Sequence, residues 1–376
     1  MTCKPIRLSH SASTRYTDCG KSYFYHYIQG LRQDVQSSAL LFGTAVDKAG
    51  EHYALSRNFD ETIELFNKTW QTQNINGTDE DLRFLLNFTY SDKDLDTDLL
   101  KVEDWHILTE HFNIEPEDTE QRLKEVIYNK SSMGYAQLSN DDKGVFNYAN
   151  WLCLKRKGFL MLKEFKTVVD ENVEEVLGTQ VKVDLVNENG DSVIGFIDFV
   201  FRWKGIDKPV VFDLKTAGRE YDDDAVKKSP QLSLYVFAVS ERFENTRHCG
   251  FLVLNKNINK NKKKKCSVCA NDGTGGRHKT CDAITSTDSK GKDVRCNGEW
   301  IETIYPKAKS QILVDTVSEV VVANVVENFD EIQKAIKAEI FPRNWGNCIK
   351  YGSIKCSFYE KCHSNSDDGL VKKEDA

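Results

Sequence analysis

No run of apolar residues in this 376-residue chain approaches the ~18 that span a bilayer, and the opening Met1-Thr2-Cys3-Lys4-Pro5 lacks the apolar stretch of a signal peptide. A membrane-spanning helix is thereby excluded, and a cytoplasmic compartment is expected. Positive charge is not in excess either. The 51 Lys and Arg residues face 58 Asp and Glu, a net charge of −7, which argues against a protein that coats nucleic acid nonspecifically. A local basic groove can still work inside an acidic total. The eight histidines form neither His-x-His nor His-Glu-x-x-His, so a zincin-type site is unsupported. No Walker A sequence occurs, and any ATP-driven motor would have to come from a partner, such as a helicase. No internal repeat is present, which excludes a solenoid.

The residues that are there describe a globular protein: 40% apolar and 29% charged, with a length that suits two or three structural units of about 100–200 residues each. Residues 1–148 read as helical, for instance Asp60 to Gln71, where Ile63, Phe66 and Trp70 recur at helical spacing. Residues 149–254 change texture. Between about Asn172 and Thr216, short β-branched and aromatic runs are broken by the turn sequences Asn187-Glu188-Asn189-Gly190 and Gly205-Ile206-Asp207-Lys208-Pro209, predicting three consecutive antiparallel strands. An amphipathic helix is predicted over Asp222 to Phe243, then a short strand over Phe251 to Leu254. Residues 255–300 are rich in Lys, Asn, Gly, Ser and Cys, an insertion too polar to make its own apolar core. Residues 301–363 carry a predicted helix from about Ser310 to Glu339 and a group of cysteines. The polar tail, 364–376, is expected to be disordered. The class is α/β (α+β).

Two apolar runs each carry a carboxylate: Gly195-Phe196-Ile197-Asp198, then Val210-Val211-Phe212-Asp213-Leu214-Lys215-Thr216. If the runs pair as a hairpin, Asp198 and Asp213 converge. Strand alternation then puts Asp213 and Lys215 on one face and turns Leu214 into the core. Such a cluster offers hard oxygen ligands for Mg²⁺ or Mn²⁺, with Lys215 as a compact cation for a water or a phosphate. An isolated Asp-x-Lys at a strand end is more often ordinary surface.

The ordered set is more specific. Gly-x-Ile-Asp followed by Asp-x-Lys-Thr resembles the core of RecB-like nucleases of the PD-(D/E)XK superfamily, including phage and CRISPR-associated exonucleases. Gln231-Leu232-Ser233-Leu234-Tyr235 is similar to the family's Gln-x-x-x-Tyr motif, whose i, i+4 spacing puts both side chains on one helical face. Ser11-Ala12-Ser13 through Tyr16, Cys19, Ser22 and Tyr23 resembles the opening helix. Gly43-Thr44-Ala45-Val46-Asp47 through Glu51 resembles the Gly-x-x-x-His-x-x-x-Glu helix, with Asp47 where the family has histidine. The resemblance implies a restriction-endonuclease-like core, a central mixed sheet flanked by helices. It also implies Mg²⁺ or Mn²⁺ held by Asp47, Asp198, Asp213 and the Leu214 carbonyl, and a site ordered by Gln231 and Tyr235. The implied activity is that of a deoxyribonuclease, by precedent an exonuclease of recombination, repair or phage DNA processing, with DNA as substrate and a helicase or recombination protein as partner. The alternative is a nucleic-acid-binding module whose nuclease core is degenerate, Asp47 being its symptom. Glu174 and Glu175 open the strand before Asp198, and whether either faces the site is left open.

Eleven cysteines in a reducing compartment are thiols, and their clustering points to metal. Cys266-x2-Cys269, Cys281 and Cys296 match a tetrahedral structural Zn²⁺ site, which would replace the missing apolar core of the insertion. Two alternatives stand beside it: His278 in place of one ligand, or four unrelated thiols. The adjoining lysines 262–265 and Arg277-His278-Lys279 read equally as a nucleic-acid-contacting finger or as a solvated loop. The resemblance further implies that Cys19, Cys348, Cys356 and Cys362 hold a [4Fe-4S] cluster clipping the two ends of the chain together. The seven residues between Cys348 and Cys356 depart from the family's spacing, so zinc or no metal at all stays open. Cys3, Cys153 and Cys249 read as unpaired thiols.

Overall fold

The computed structural model describes residues 5–34, 36–74, 88–90, 95–100, 118–273, 280–281, 283–350 and 354–373. A short strand β1 (Arg7–Ser9) enters helix α1 (His10–Asp18), capped by the Ser9 side chain, which accepts from the Ala12 N–H. Helices α2 (Ser38–Ser56), α3 (Phe59–Asn74), α4 (Thr119–Met133) and α5 (Asn140–Asn172) follow. The start of α5 is fixed by Ser139, whose hydroxyl accepts from the Asp142 N–H, with Asp141 and Asp142 suited to the positive end of the helix dipole. It runs unbroken through 33 residues, so a unit boundary at 148/149 would fall inside it.

The three antiparallel strands occur where the turn chemistry puts them: β2 (Val173–Val186), β3 (Ser192–Trp203) and β4 (Val210–Ala217). Between the first two, Asn187 accepts from the Asn189 and Asp191 N–H groups while Gly190 takes a φ of +77°, open to glycine at no steric cost. Helix α6 (Pro230–Val239), long strands β5 (His248–Cys266) and β6 (Trp300–Thr316), and helix α7 (Glu319–Lys337) complete the core. The predicted helix over Asp222 to Phe243 is thus shorter, because Ser229 caps it, accepting from the Leu232 N–H, and Pro230 sets its first turn. The predicted helix from Ser310 likewise begins only after the Ser318 cap. Its first seven residues finish β6, where alternate packing of Leu313 and Val314 on opposite faces is a strand's period.

The sheet is mixed. β2 pairs antiparallel with β3 along its length, β4 runs parallel to β5, and β5 runs antiparallel to β6. On its other edge β3 meets two partners, β1 in parallel at 192–194 and β4 antiparallel at 199–201. Between them, residues 195–198 of β3 have no named strand beside them. One face of the sheet packs Phe199, Phe201, Phe212 and Leu214 against α2, α3 and α5, the other packs Ile197, Val211 and Val253 against α6, and α7 joins β1 and α1 in a third cluster.

Two further expectations are corrected. The short strand expected over Phe251 to Leu254 runs on into the insertion as far as Cys266, paired with β6 back to Trp300, because inter-strand backbone bonding needs no apolar side chains. The tail from Ser364 is ordered over its described residues, with Leu370–Lys372 pairing antiparallel with Leu31–Gln33. Among the described residues, no helix is long and apolar enough to cross a membrane.

Candidate active site

The break in pairing on β3 makes the site. Thr179 pairs with Phe199 and Val181 with Ile197, which puts Gln180 across from Asp198 on one side. On the other side β4 has just separated, and the Leu214 N–H, freed from the ladder with β3, donates to Asp198 Oδ2 at 2.7 Å. Leu214 itself is buried in the helical core, as alternation requires. Asp213 and Lys215 share the opposite face, with Lys215 Nζ 2.6 Å from Asp213 Oδ2.

Helix α6 adds the next layer. Gln231 donates from Nε2 to Asp213 Oδ1 at 2.8 Å and to the Tyr235 hydroxyl at 3.0 Å, and its Oε1 accepts from Lys215 Nζ at 3.3 Å. One amide therefore holds both the carboxylate and the cation. Opposite Tyr235 stands Gly195, where an added Cβ would lie 3.2 Å from the ring's Cε1. From α2 comes Asp47, whose Oδ2 accepts from Gln180 Nε2 at 3.3 Å, and one turn on, Glu51 accepts from the Thr179 hydroxyl at 2.9 Å.

Electrostatics favours a cation here. Burial, then the charges of Glu51 and Asp213, raise the Asp47 carboxyl to about 6. Burial, then Asp213 and Asp47, hold Asp198 well above its usual range, and burial raises Asp213 in spite of Lys215. Burial pulls Lys215 down, but Asp213 and Asp198 outweigh it and keep the ammonium charged. One ammonium among these carboxylates leaves like charges facing each other in a poorly solvated space. Asp47 Oδ1 is buried with no hydrogen-bond partner, and Asp213 Oδ2 has only the ion contact with Lys215. Buried anionic oxygens left unsatisfied are costly, and a hard divalent cation is the group whose binding satisfies them.

Every side chain proposed from the sequence for this cluster is there: Asp47, Asp198, Asp213, Lys215, Gln231 and Tyr235. Glu174 and Glu175 are not, since both are exposed and Glu175 pairs with Arg202. Gln180, Thr179 and His10 were missed. The register with Asp198 was the only signal for Gln180. The ring of His10 lies where burial, and then the Lys215 charge, lower its basicity and favour the neutral imidazole.

Two thiol groups lie elsewhere. Cys266, Cys269, Cys281 and Cys296 bring their sulfurs within 4.8 Å of one another, with Cys266 and Cys296 at 3.4 Å and Cys269 and Cys281 at 3.6 Å. Four thiolates around one tetrahedral Zn²⁺ at 2.3 Å stand about 3.8 Å apart, so this set fits a single zinc ion. His278 lies outside the described residues. Cys19, Cys348, Cys356 and Cys362 also converge. The Cys348 thiol is raised by burial and then by Cys356 and Cys19, and Cys362, raised chiefly by burial, feels the same two.

A family model of the PD-(D/E)XK nuclease superfamily matches residues 7–363. No curated protein matches the chain in sequence.

Proposed function

The chain belongs to the PD-(D/E)XK nuclease superfamily, and on that premise we propose that it is a Mg²⁺- or Mn²⁺-dependent deoxyribonuclease, acting as an exonuclease in DNA recombination, repair or phage DNA processing. The observation that carries this reading is the convergence of Asp47, Asp198 and Asp213 on a buried point with unsatisfied carboxylate oxygens beside Lys215. These three side chains and the Leu214 carbonyl are the ligands we assign to the divalent ion. When bound, the ion supplies Lewis acidity to the phosphate and a lowered pKa for water.

The protein's own groups do the positioning. Lys215, held by Asp213 and Gln231, is a charged donor 2.6 Å from the carboxylate, suited to a nonbridging phosphate oxygen on which charge develops. Gln231, itself anchored on Tyr235, keeps Asp213 and Lys215 at fixed separation, and the close approach of Tyr235 depends on Gly195 having no side chain. Water adds to phosphorus and the bond to the 3′ oxygen breaks, leaving a 5′-phosphate and a 3′-hydroxyl that takes up the proton. We assign Zn²⁺ to the Cys266 set and a [4Fe-4S] cluster to Cys19, Cys348, Cys356 and Cys362. Thiols kept for metals, with every described cysteine free of disulfide, suit a reducing compartment such as the cytoplasm.

The test is digestion of end-labelled linear and circular DNA with Mg²⁺ or Mn²⁺ by the parent, Asp213→Ala and Lys215→Ala. Loss of ~10²-fold or more in both variants, with circular DNA spared, is expected. Equal residual activity in all three would instead favour the degenerate binding module.

A further inference from the structure

Beyond the site the sheet continues as a single ribbon. In the parallel pair, Asp213 lies opposite Phe251, Lys215 opposite Val253 and Ala217 opposite Asn255. Strand β4 ends at Ala217, whereas β5 goes on to Cys266, paired with β6 back to Trp300. At about 3.3 Å per residue this ribbon reaches roughly 40 Å past Lys215. Its root is tied to the site, since Asn257 Nδ2 donates to the carbonyl of Gly218, just after β4. Its tip is closed by the four cysteines. An isolated two-stranded ribbon is marginally stable in water, and a metal at the end supplies what the polar strands cannot.

The two faces of the ribbon differ. Even-numbered Leu252, Leu254 and Ile258 pack with the helical cluster, and Lys260 on that side is ion-paired with Asp96 at 2.6 Å. Odd-numbered Phe251 and Val253 pack with α6, on the face that carries Asp213 and Lys215. Followed outwards, that face becomes Asn257, Asn259, Asn261, Lys263 and Lys265, all exposed. Tyr305, opposite Asn261 on β6, is exposed there too, with the Lys263 ammonium 5.6 Å from its ring centre. By register, neither strand carries a carboxylate on this face from 251 to 265 or from 301 to 309; at the tip Asp272, on a two-residue strand that pairs with β5, stands opposite Lys265. In a chain of net charge −7 the length of the ribbon between the site and the tip is thus kept clear of acids on this face.

We propose that this face is a track for the phosphate backbone of DNA, leading from the Lys263–Lys265 tip to the carboxylate site. The amides and ammonium groups offer donors to phosphate oxygens, and Tyr305 offers a ring for a sugar or base. Roughly 40 Å is slightly more than one duplex turn of 34–36 Å, so the tip meets the backbone about one turn from the scissile bond. The direction of the track rests on the nuclease reading above; the binding itself does not.

The experiment is fluorescence anisotropy without Mg²⁺ or Mn²⁺, on the zinc-loaded full chain. It compares duplexes of about 8 and about 24 base pairs, shorter and longer than the ribbon at 3.4 Å per pair, with a single strand of the longer sequence. The parent should bind the longer DNA at least tenfold more tightly. Lys263→Ala/Lys265→Ala, both solvent-facing, should lose most of that advantage and flatten the log–log salt slope by about 2, the value for two phosphate contacts. Tyr305→Ala should weaken the single strand most. Equal binding of long and short DNA by the parent, or an unchanged slope in a double variant of parental melting temperature, would overturn the track. Cleavage is measured separately: a parent that binds by length but never cuts counts against the nuclease reading and leaves the track standing.

Discussion

Gln180 donates a hydrogen bond to Asp47 Oδ2 from a left-handed backbone, at φ +44°, inside an otherwise extended strand. A non-glycine residue held there costs of order 1–3 kcal/mol, and the surrounding pairs Thr179–Phe199 and Val181–Ile197 keep it in place. The donor fixes one oxygen of Asp47 and leaves the other, Oδ1, without a partner. Gln180→Gly should therefore leave the melting temperature equal or higher while weakening metal-dependent cleavage about 10- to 100-fold, as loss of an outer ligand partner does. A calorimetric scan beside a metal titration of the cleavage rate checks it. Lower stability with full activity would show that the strained geometry serves the strand alone.

Gln231→Leu removes the donor to Asp213 Oδ1 and the acceptor for Lys215 together. The expected result is a fall in kcat of about 10- to 100-fold with KM changed little, because orientation rather than binding is lost. A rise in KM at constant kcat would place Gln231 in substrate binding instead.

The elevated Asp47 carboxyl predicts a pH dependence. An unfolded aspartate titrates near about 3.9, and the folded one near about 6 takes up its proton first. Its contribution to stability is then fully present below the unfolded value and lost as pH rises through about 6. Metal-free parent should lose melting temperature relative to Asp47→Asn between pH 4 and pH 7, and Mg²⁺ should restore it at pH 7 in the parent alone. A difference independent of pH would remove the case for a crowded carboxylate site.

The Cys266 set should carry one zinc per chain, measured by elemental analysis. Chelation or Cys269→Ser is expected to open residues 255–300 to protease while the sheet and helices persist as a resistant core. Equal proteolysis with and without chelator would mean that the thiols are not a metal site.

The protein purified without oxygen should be brown, with iron and sulfide in the ratio of a cubane cluster, and Cys19→Ser should lose both. Zinc or no metal in that fraction would exclude the cluster.

The motifs that could be read from the sequence are those in which chemistry and periodicity coincide. Asp213-x-Lys215 needs only strand alternation, and Gln231 with Tyr235 needs only one helical turn. Gln180 was invisible because its importance comes from register with Asp198 across a hairpin, a property of pairing. The ribbon was misread for the opposite reason. Asn257 to Lys265 has no apolar alternation, so a strand held by backbone bonds and a tip of cysteines resembles a loop. Ile312 to Val314 suits a helix as well as a strand, and the Ser318 cap decides the boundary.

Residues early and late in the chain are stitched together. The Tyr16 hydroxyl donates to the Ile340 carbonyl, the Lys21 N–H to Pro342, and Asn347 to the Asp18 carbonyl, while Leu31–Gln33 pairs with Leu370–Lys372. Helix α1 is thus made before its partners leave the ribosome, and its apolar side must wait for them. Contacts of such long separation slow folding, because loop closure is paid before the reward arrives. Folding should show a late phase that reports on this stitch, and a chain cut before residue 340 should fold its sheet yet expose the rings of Tyr16, Tyr23 and Phe24, which pack on Phe341, to aggregation.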